Sequence, residues 1–561
     1  MDPENKWQEK LPKLPESLWR GTTELPSFPR LTEDHATDIA VVGGGITGIT
    51  TAYLLADAGF KVTLLEGSEL FSGTTGFTTA KITAQHGLIY SDLAKRFGED
   101  NAKAYFRSNS ESLEWIVQTA KKLGVSCGLE REDAYVYGYP DDTKALKQLE
   151  AEFEAYRKLG LPGEWVDDIS LPMRIAGAIK LPGQARFHPL AYLKGLLEAF
   201  LDKGGIVYEH TTISRDVENE GGLTLFTERG QHRIKCRHAV SASHYPFYDG
   251  GEVYFARLHA DRAYCLAFEP ETGYEGGMYL SVGQPRRSLR AVEWEGKRLV
   301  IAAGESHKAG QSGCTIKHYE NLEVFAGELL GIRRIPYRWS TQDLVTVDQV
   351  PYIGKMSGDK EIYVATGFAK WGMTSGTLAA RMIADQIQGK SSPYTELYDP
   401  SRLNPNPGIK NLLVQNANVA NELITGKLEF TFKKIDDLGL DEGGVVRHDG
   451  KQVGAYRDSE GGVHLVDRTC THMGCECHWN ESERSWDCPC HGSRYSYDGE
   501  VIEGPATLPL AKPDLMPVSV RLTGQRQKLI KVKGEEQNRW NLEEKPQSLP
   551  APAKASAKHW P

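Results

Sequence analysis

Asp38-Ile39-Ala40-Val41-Val42-Gly43-Gly44-Gly45-Ile46-Thr47-Gly48 is the stretch that decides the fold. Residues 38–42 are a short, mostly apolar run suited to a buried parallel strand. Gly43, Gly45 and Gly48 then follow at G-x-G-x-x-G spacing. A helical run from Ile49 to Ala58 ends at Gly59, and Lys61-Val62-Thr63-Leu64-Leu65-Glu66 reads as the next strand. Glycines allow a tight turn and close approach of a pyrophosphate, the helix N-terminus favours its charge, and an acid about 20 residues on accepts hydrogen bonds from a ribose. A lone glycine motif would also suit an ordinary glycine turn. The two strands, the helix and the acid together favour a dinucleotide site in an α/β, Rossmann-like domain. Its candidate residues are Gly43, Gly44, Gly45, Thr47, Gly48 and Glu66.

The motif alone does not choose between FAD and NAD. It is followed by a small, polar, Gly-rich stretch from Gly67 to Ala80. Far downstream come Asp348-Gln349-Val350-Pro351-Tyr352-Ile353-Gly354, then Ile362 to Phe368, then Gly372-Met373-Thr374-Ser375-Gly376 and a helical stretch from Thr377 to Ile387. These segments resemble D-amino-acid-oxidase-like flavoproteins over roughly residues 36–390. The resemblance implies FAD, a glutathione-reductase/D-amino-acid-oxidase type binding domain and an antiparallel-sheet substrate domain. It adds Thr74, Thr75, Thr78, Thr79, Ala80, Gly367, Gly372, Met373 and Thr374 to the cofactor-binding candidates. The late helix would point its N-terminus at the flavin ring and favour the anionic reduced form.

A second G-x-G-x-x-G in strand–turn–helix context is not found in the sequence. Reduction by a small organic substrate is therefore expected, rather than by a pyridine nucleotide. In the resembled family that substrate loses a hydride from a carbon bearing an amine. Lys370 and Trp371, in the late glycine turn, and His86, after the Gly-rich stretch, are the catalytic candidates. Lys370 also reads as a solvated turn lysine and His86 as plain packing. His188, which opens a helix from Leu190 to Leu201, reads as a capping or packed residue.

A separate signal lies at Cys470-Thr471-His472-Met473-Gly474-Cys475 and Cys488-Pro489-Cys490-His491-Gly492-Ser493. The pattern is C-x-H, fifteen residues, then C-x-x-H. Two thiolates and two imidazoles are what a Rieske 2Fe–2S cluster takes, and imidazole in place of thiolate raises its potential. A structural zinc site uses the same ligand types but would leave Cys475 and Cys490 idle. The boxes resemble Rieske domains of the cytochrome bc class, which read C-T-H-L-G-C and C-P-C-H-G-S. That resemblance implies Cys470, His472, Cys488 and His491 as ligands and a Cys475–Cys490 disulfide. It implies hydroxyl donors to sulfur at Ser493 and Tyr495, which raise the potential further. Ser493 also reads as a turn cap. Gly504-Pro505-Ala506 resembles the loop that covers the cluster. Cys477 departs from the pattern and could compete for the disulfide.

The chain has 561 residues, 40% of them hydrophobic and 25% charged, as in a soluble globular protein of two or more domains. A net charge of −9 gives no electrostatic reason to expect nucleic acid. No run approaches the length of a membrane span, and the first residues lack the order of a secretion signal. Cys127, Cys236, Cys265 and Cys314 are scattered, which fits a reducing, cytoplasmic setting. The expected organisation is an arm at 1–35 and a flavin-dependent oxidoreductase at 36–390, with its substrate part at about 91–169 and 246–329. A linker with a short helix follows at 391–429, then an all-β Rieske domain at 430–535 and a tail at 536–561. Strands are expected at Arg262 to Phe268, Leu299 to Ala303, Glu429 to Phe432 and Leu529 to Val532.

Together the modules imply a dehydrogenase that oxidises a small amine or amino-acid-like substrate at FAD. Electrons would leave singly through the cluster, with His472 or His491 as the exit edge, to an external protein or quinone. Two other readings are an electron-transfer component of an oxygenase system and a flavin/cluster redox sensor. A Rieske oxygenase proper would need a 2-His-1-carboxylate iron site. His232, His238 and His244, spaced by six, do not share a helix face.

Overall fold

The run of residues 39–42 is a strand, Ile39–Val42, with all four side chains buried. It sits inside a six-stranded sheet. On one side it pairs in parallel with Val62–Leu65, which pairs with Ile206–Tyr208. On the other it pairs with His238–Ser241, then Ile362–Thr366, and Tyr352–Lys355 closes the edge antiparallel. Burial on both faces explains the near-continuous apolar runs of the central strands. The helices Ile46–Asp57, Pro189–Asp202 and Gly372–Ile387 share the largest hydrophobic cluster with this sheet. His188 accepts from the Ala191 N–H at the start of Pro189–Asp202 and so caps it, with Pro189 at the first helical position. The computed structural model describes residues 11–219, 221–402, 417–423, 426 and 431–513.

A nine-stranded, mostly antiparallel sheet lies beside the first, with one parallel pair between Met278–Ser281 and Glu130–Gly138. The segments 91–169 and 246–329 contribute most of it, but Lys81–Ile82, Gly177–Arg186 and Ile332–Thr346 join from outside those bounds. Ile332–Thr346 belongs here because it pairs antiparallel along almost the whole of Leu258–Pro270. That long strand contains the expected Arg262–Phe268, and Lys297–Lys308 contains the expected Leu299–Ala303.

Between Leu18 and Leu31 the N-terminal arm is anchored. Trp19 is fully buried and donates from Nε1 to the Thr78 carbonyl at 2.6 Å. In the linker, residues 417–423 are helical, which covers Val419 and Leu423 of the expected helix. Leu412, Leu413 and Asn416 lie outside the described residues, as do the expected strand Leu529–Val532 and the tail. Thr431 and Phe432 are not strand, and the rest of that expected element falls outside the described residues. The cluster boxes sit among two small antiparallel sheets. One has the strands Glu442–His448, Lys451–Arg457 and Val463–Val466. The other has His478–Asn480, Ser485–Asp487, Arg494–Ser496 and Val501–Glu503. Among the described residues no helix is long and apolar enough to cross a membrane.

Candidate functional site

The glycine turn opens into a cleft of about 400 Å³ that runs to the late glycine turn and under the nine-stranded sheet. Gly43 has a φ of +112°, and a Cβ there would lie 2.3 Å from the Ala242 carbonyl oxygen. A Cβ on Gly48 would lie 1.8 Å from the Gly43 oxygen. Both positions therefore require glycine. Glu66 is held by the Gly44 N–H at 2.7 Å and the Ser68 N–H at 2.9 Å. Burial pushes its carboxyl above the usual range, against the pull of those N–H groups. Thr75 Oγ1 accepts from the Ile46 N–H. The helices Ile46–Asp57 and Gly372–Ile387 both begin at this cleft, and neither N-cap residue supplies a side-chain bond, although Thr75 takes up the Ile46 N–H of the first. Two helix N-termini on one cleft suit a cofactor with an anionic pyrophosphate and a ring that becomes anionic on reduction.

Gly43, Gly44, Gly45, Thr47, Glu66, Thr74, Thr75, Thr78, Thr79, Gly372 and Met373 line this cleft; Gly48, Ala80, Gly367 and Thr374 do not. Lys370 and Trp371 also line it, and Lys370 Nζ pairs with Asp343 at 3.1 Å. His86 does not. It is buried behind Trp371, stacked on the indole with centroids 4.6 Å apart. Its Nε2 lies 2.8 Å from the Thr83 carbonyl and its Nδ1 2.8 Å from the Tyr105 hydroxyl. The carbonyl can only accept, so Nε2 carries the proton and Nδ1 accepts from the tyrosine. Burial depresses its pKa to about 3. His86 thus orients Trp371 and is not a group in contact with the cleft.

Lys81 is a residue the sequence reading missed. It lines the cleft, and Nζ donates to the Tyr279 carbonyl at 2.7 Å and to Ser288 Oγ at 2.6 Å. Burial, with Arg290 nearby, brings its pKa down to about 7. Arg287 also lines the cleft and pairs with Glu305. A lysine directly after the Gly-rich stretch was the only sequence signal for Lys81.

The two boxes come together as loops. Cys475 and Cys490 are disulfide-bonded, and Cys477 remains a free, buried thiol. The sulfurs of Cys470, Cys477 and Cys488 lie within 4.8 Å of one another. His472 and His491 lie 5.0 Å apart between ring centroids. Nδ1 of His472 and both ring nitrogens of His491 are buried with no hydrogen-bond partner. Buried nitrogens without partners beside crowded thiols are the donor set of a metal cluster. Among the described residues the groups close enough to hold a metal are cysteines of these boxes together with Cys477. Tyr495 OH accepts from the Thr471 N–H, and its own hydrogen faces two acceptors, Cys470 Sγ at 3.2 Å and Thr471 Oγ1 at 3.1 Å, whose own hydrogen goes to the Leu508 carbonyl. Ser493 Oγ accepts from the Ala506 N–H at 3.0 Å, which leaves its O–H free to donate.

The packing distinguishes the two candidates for the exit edge, since His491 is buried and His472 half-buried. His472 faces Tyr245 at 5.9 Å and His491 faces Phe255 at 6.3 Å, so both rings abut the cleft-bearing part of the chain. Residues 501–507, which include the Gly504-Pro505-Ala506 loop, line the cleft itself. Arg215 Nη2 donates to the Pro505 carbonyl at 3.2 Å. Arg262, with no solvent exposure, lies 3.8 Å from both Asp487 and Glu503.

Comparison with known proteins agrees with this geometry. A family model described as FAD dependent oxidoreductase matches residues 38–386, and a Rieske [2Fe-2S] domain model matches residues 430–514. YhfW of Bacillus subtilis (strain 168), whose name describes a Rieske 2Fe-2S iron-sulfur protein, is 45% identical over 90% of this chain and 98% of its own length. The gamma-glutamylputrescine oxidoreductase of Escherichia coli (strain K12) is 24% identical, over 65% of this chain and 87% of its own. The crystal structure of glycine oxidase from Geobacillus kaustophilus shares the fold over 66% of this chain and 99% of its own, with a TM-score of 0.56 at 20% identity.

Proposed function

Since the chain belongs to the FAD dependent oxidoreductase family and carries a Rieske [2Fe-2S] domain, we propose that it is a dehydrogenase for a small amine or amino-acid-like compound that delivers electrons singly to an external protein or quinone. When bound, FAD supplies hydride acceptance and the 2Fe–2S cluster supplies one-electron transfer. Gly43, Gly44, Gly45 and Glu66 would hold the dinucleotide end, and Lys370, Trp371, Gly372 and Met373 the ring end. Cys470, His472, Cys488 and His491 would hold the cluster. The observation that carries this reading is that residues 501–507, beside the cluster loops, line the same cleft as both glycine turns. An oxidase that reduces oxygen directly has no use for such a neighbour.

This chain's own residues do the binding and the proton work. Arg287 would attract an acidic group of the substrate. Lys81, poised near neutral pH, would take the proton of a substrate ammonium at Nζ, because its pKa of about 7 matches the working pH. Two relatives are named for amine-bearing compounds, gamma-glutamylputrescine and glycine, which supports the same substrate class. The free cysteines away from the cluster loops, Cys127, Cys236, Cys265 and Cys314, suit a cytoplasmic setting.

The test is anaerobic mixing of the purified protein with a panel of amines, amino acids and hydroxy acids. Flavin bleaching is followed optically and cluster reduction by electron paramagnetic resonance. Bleaching by an amine, followed by a reduced-cluster signal, is the expected result. Reduction by NADH or a reductase alone would replace the dehydrogenase with a relay.

A further inference from the structure

One strand of the nine-stranded sheet, Ile332–Thr346, faces the cleft on one side and a cluster loop on the other, with side chains alternating across it. On Ile332–Thr346, Thr341 and Asp343 line the cleft, with Asp343 paired to Lys370 at the ring end. Gln342, between them, points the other way, as the two-residue period of a strand requires. It is 2% exposed, and its Nε2 donates to the Gly492 carbonyl at 2.7 Å, one residue from His491. Arg262 donates to Gln342 Oε1 at 3.0 Å, which fixes the direction of the amide. Thr74, in the Gly-rich stretch, donates to the Gln342 main-chain carbonyl at 2.7 Å. The approach is close: Gly492 has a φ of +80°, and a Cβ there would lie 2.5 Å from Ala260 and 2.8 Å from Gln342 Nε2.

From these contacts we propose that Gln342 is the bridge by which electrons cross from the flavin cleft to the cluster. The inference rests on the dehydrogenase reading above. Each crossing oxidises the reduced flavin by one electron and reduces the cluster by one. Two crossings carry the two electrons of one hydride, whose proton leaves to water. A one-electron acceptor reoxidises the cluster between crossings, and ferricyanide serves for it in the test. Tyr245 offers a competing contact, since it lines the cleft and meets His472. Its main-chain carbonyl accepts from Ser243 Oγ, and Ser243 stands with Ala242 against Gly43, at the pyrophosphate end of the cleft. Gln342 adjoins the ring end, where the electrons are held.

The experiment uses the holoenzyme. Light with EDTA reduces the bound flavin, and cluster reduction is timed optically. Gln342→Leu removes both amide contacts. Gln342→Glu keeps the Arg262 contact and loses the N–H donated to Gly492. Both variants are expected to lose the fast phase of cluster reduction while retaining the wild-type cluster resonance spectrum, and Gln342→Leu, which adds no charge, is expected to keep both midpoint potentials. Tyr245→Leu is expected to keep the fast phase. An unchanged rate in Gln342→Leu overturns the bridge alone. A slower rate accompanied by an altered cluster spectrum or potential in both variants overturns it in favour of a purely structural contact. A wild-type flavin that never reduces the cluster overturns the dehydrogenase reading and the bridge together.

Discussion

The two cofactor sites differ in how far the protein satisfies their polar groups. In the flavin cleft the charged groups and Thr75 have partners, with Thr341 Oγ1 a buried exception: Glu66 has backbone N–H donors, Thr75 has Ile46, Lys81 has Tyr279 and Ser288, and Lys370 has Asp343. In the cluster loops, three imidazole nitrogens are buried without partners and three thiols crowd together. Buried polar groups left unpaired are costly. The cleft can therefore fold as a finished surface, whereas the cluster loops depend on their metal and on what braces them. The braces are the disulfide and the interface with the nine-stranded sheet.

The largest effects should come from the ligands. Cys470→Ser or His491→Ala is expected to abolish the cluster's resonance signal while flavin absorbance remains. Loss of flavin in the same variants would show that the sites fold as one. Next is the interface. Arg262→Met removes one of the two guanidinium partners of Asp487 and Glu503 and leaves Arg494 paired with both, so the cost should fall below about 3–5 kcal/mol, that of breaking a buried pair outright. A thermal melt should resolve a separate, earlier transition reported by cluster absorbance. A single undisturbed transition would mean that the docking does not depend on this charge. Cys475→Ser comes third. Its bridge spans a sequence separation of 15, and closing a loop of that size is worth about 3 kcal/mol. The loss should appear in cluster retention during heating, with flavin release unaffected.

Gly43→Ala reverses the comparison. A non-glycine residue at this φ, with its Cβ against Ala242, costs about 1–3 kcal/mol. FAD affinity, measured by flavin fluorescence on dilution, should fall about tenfold, the equivalent of 1.4 kcal/mol. The cluster signal should persist. Equal affinity in the variant would mean that the turn relaxes and does not fix the cofactor.

How much of this was legible in the sequence follows the same division. The glycine turn and the cysteine–histidine boxes could be read because their requirements are local: a turn only glycine can make, and ligands spaced along two loops. Lys81, Arg262 and Gln342 could not. Lys81 matters through Tyr279 and Ser288, and Gln342 through Gly492, all contacts more than a hundred residues away in sequence. His86 was read both as a catalytic candidate and as plain packing, because a sequence does not say which side of Trp371 it occupies. The inward-facing histidines escaped for a related reason. Nothing in either box encodes the surface of the sheet on which the domain rests.

The smallest expected effect tests the finished character of the cleft through His86. Burial holds its folded pKa near 3, against about 6.5 for an unfolded histidine. The fold thus favours the neutral ring, and the unfolded chain takes up the proton first as pH falls. Stability from this group is complete above about pH 6.5 and is lost on acidification toward 3, at roughly 1.4 kcal/mol per pH unit. His86→Gln removes that proton linkage. Its destabilisation relative to wild type, measured by urea unfolding, should shrink by about 1.4 kcal/mol between pH 7.5 and 5.5. A gap that is constant with pH would mean that the imidazole reaches solvent and does not brace Trp371 from a dry interior. The cleft would then be less complete than its hydrogen bonds imply, and closer in kind to the cluster loops.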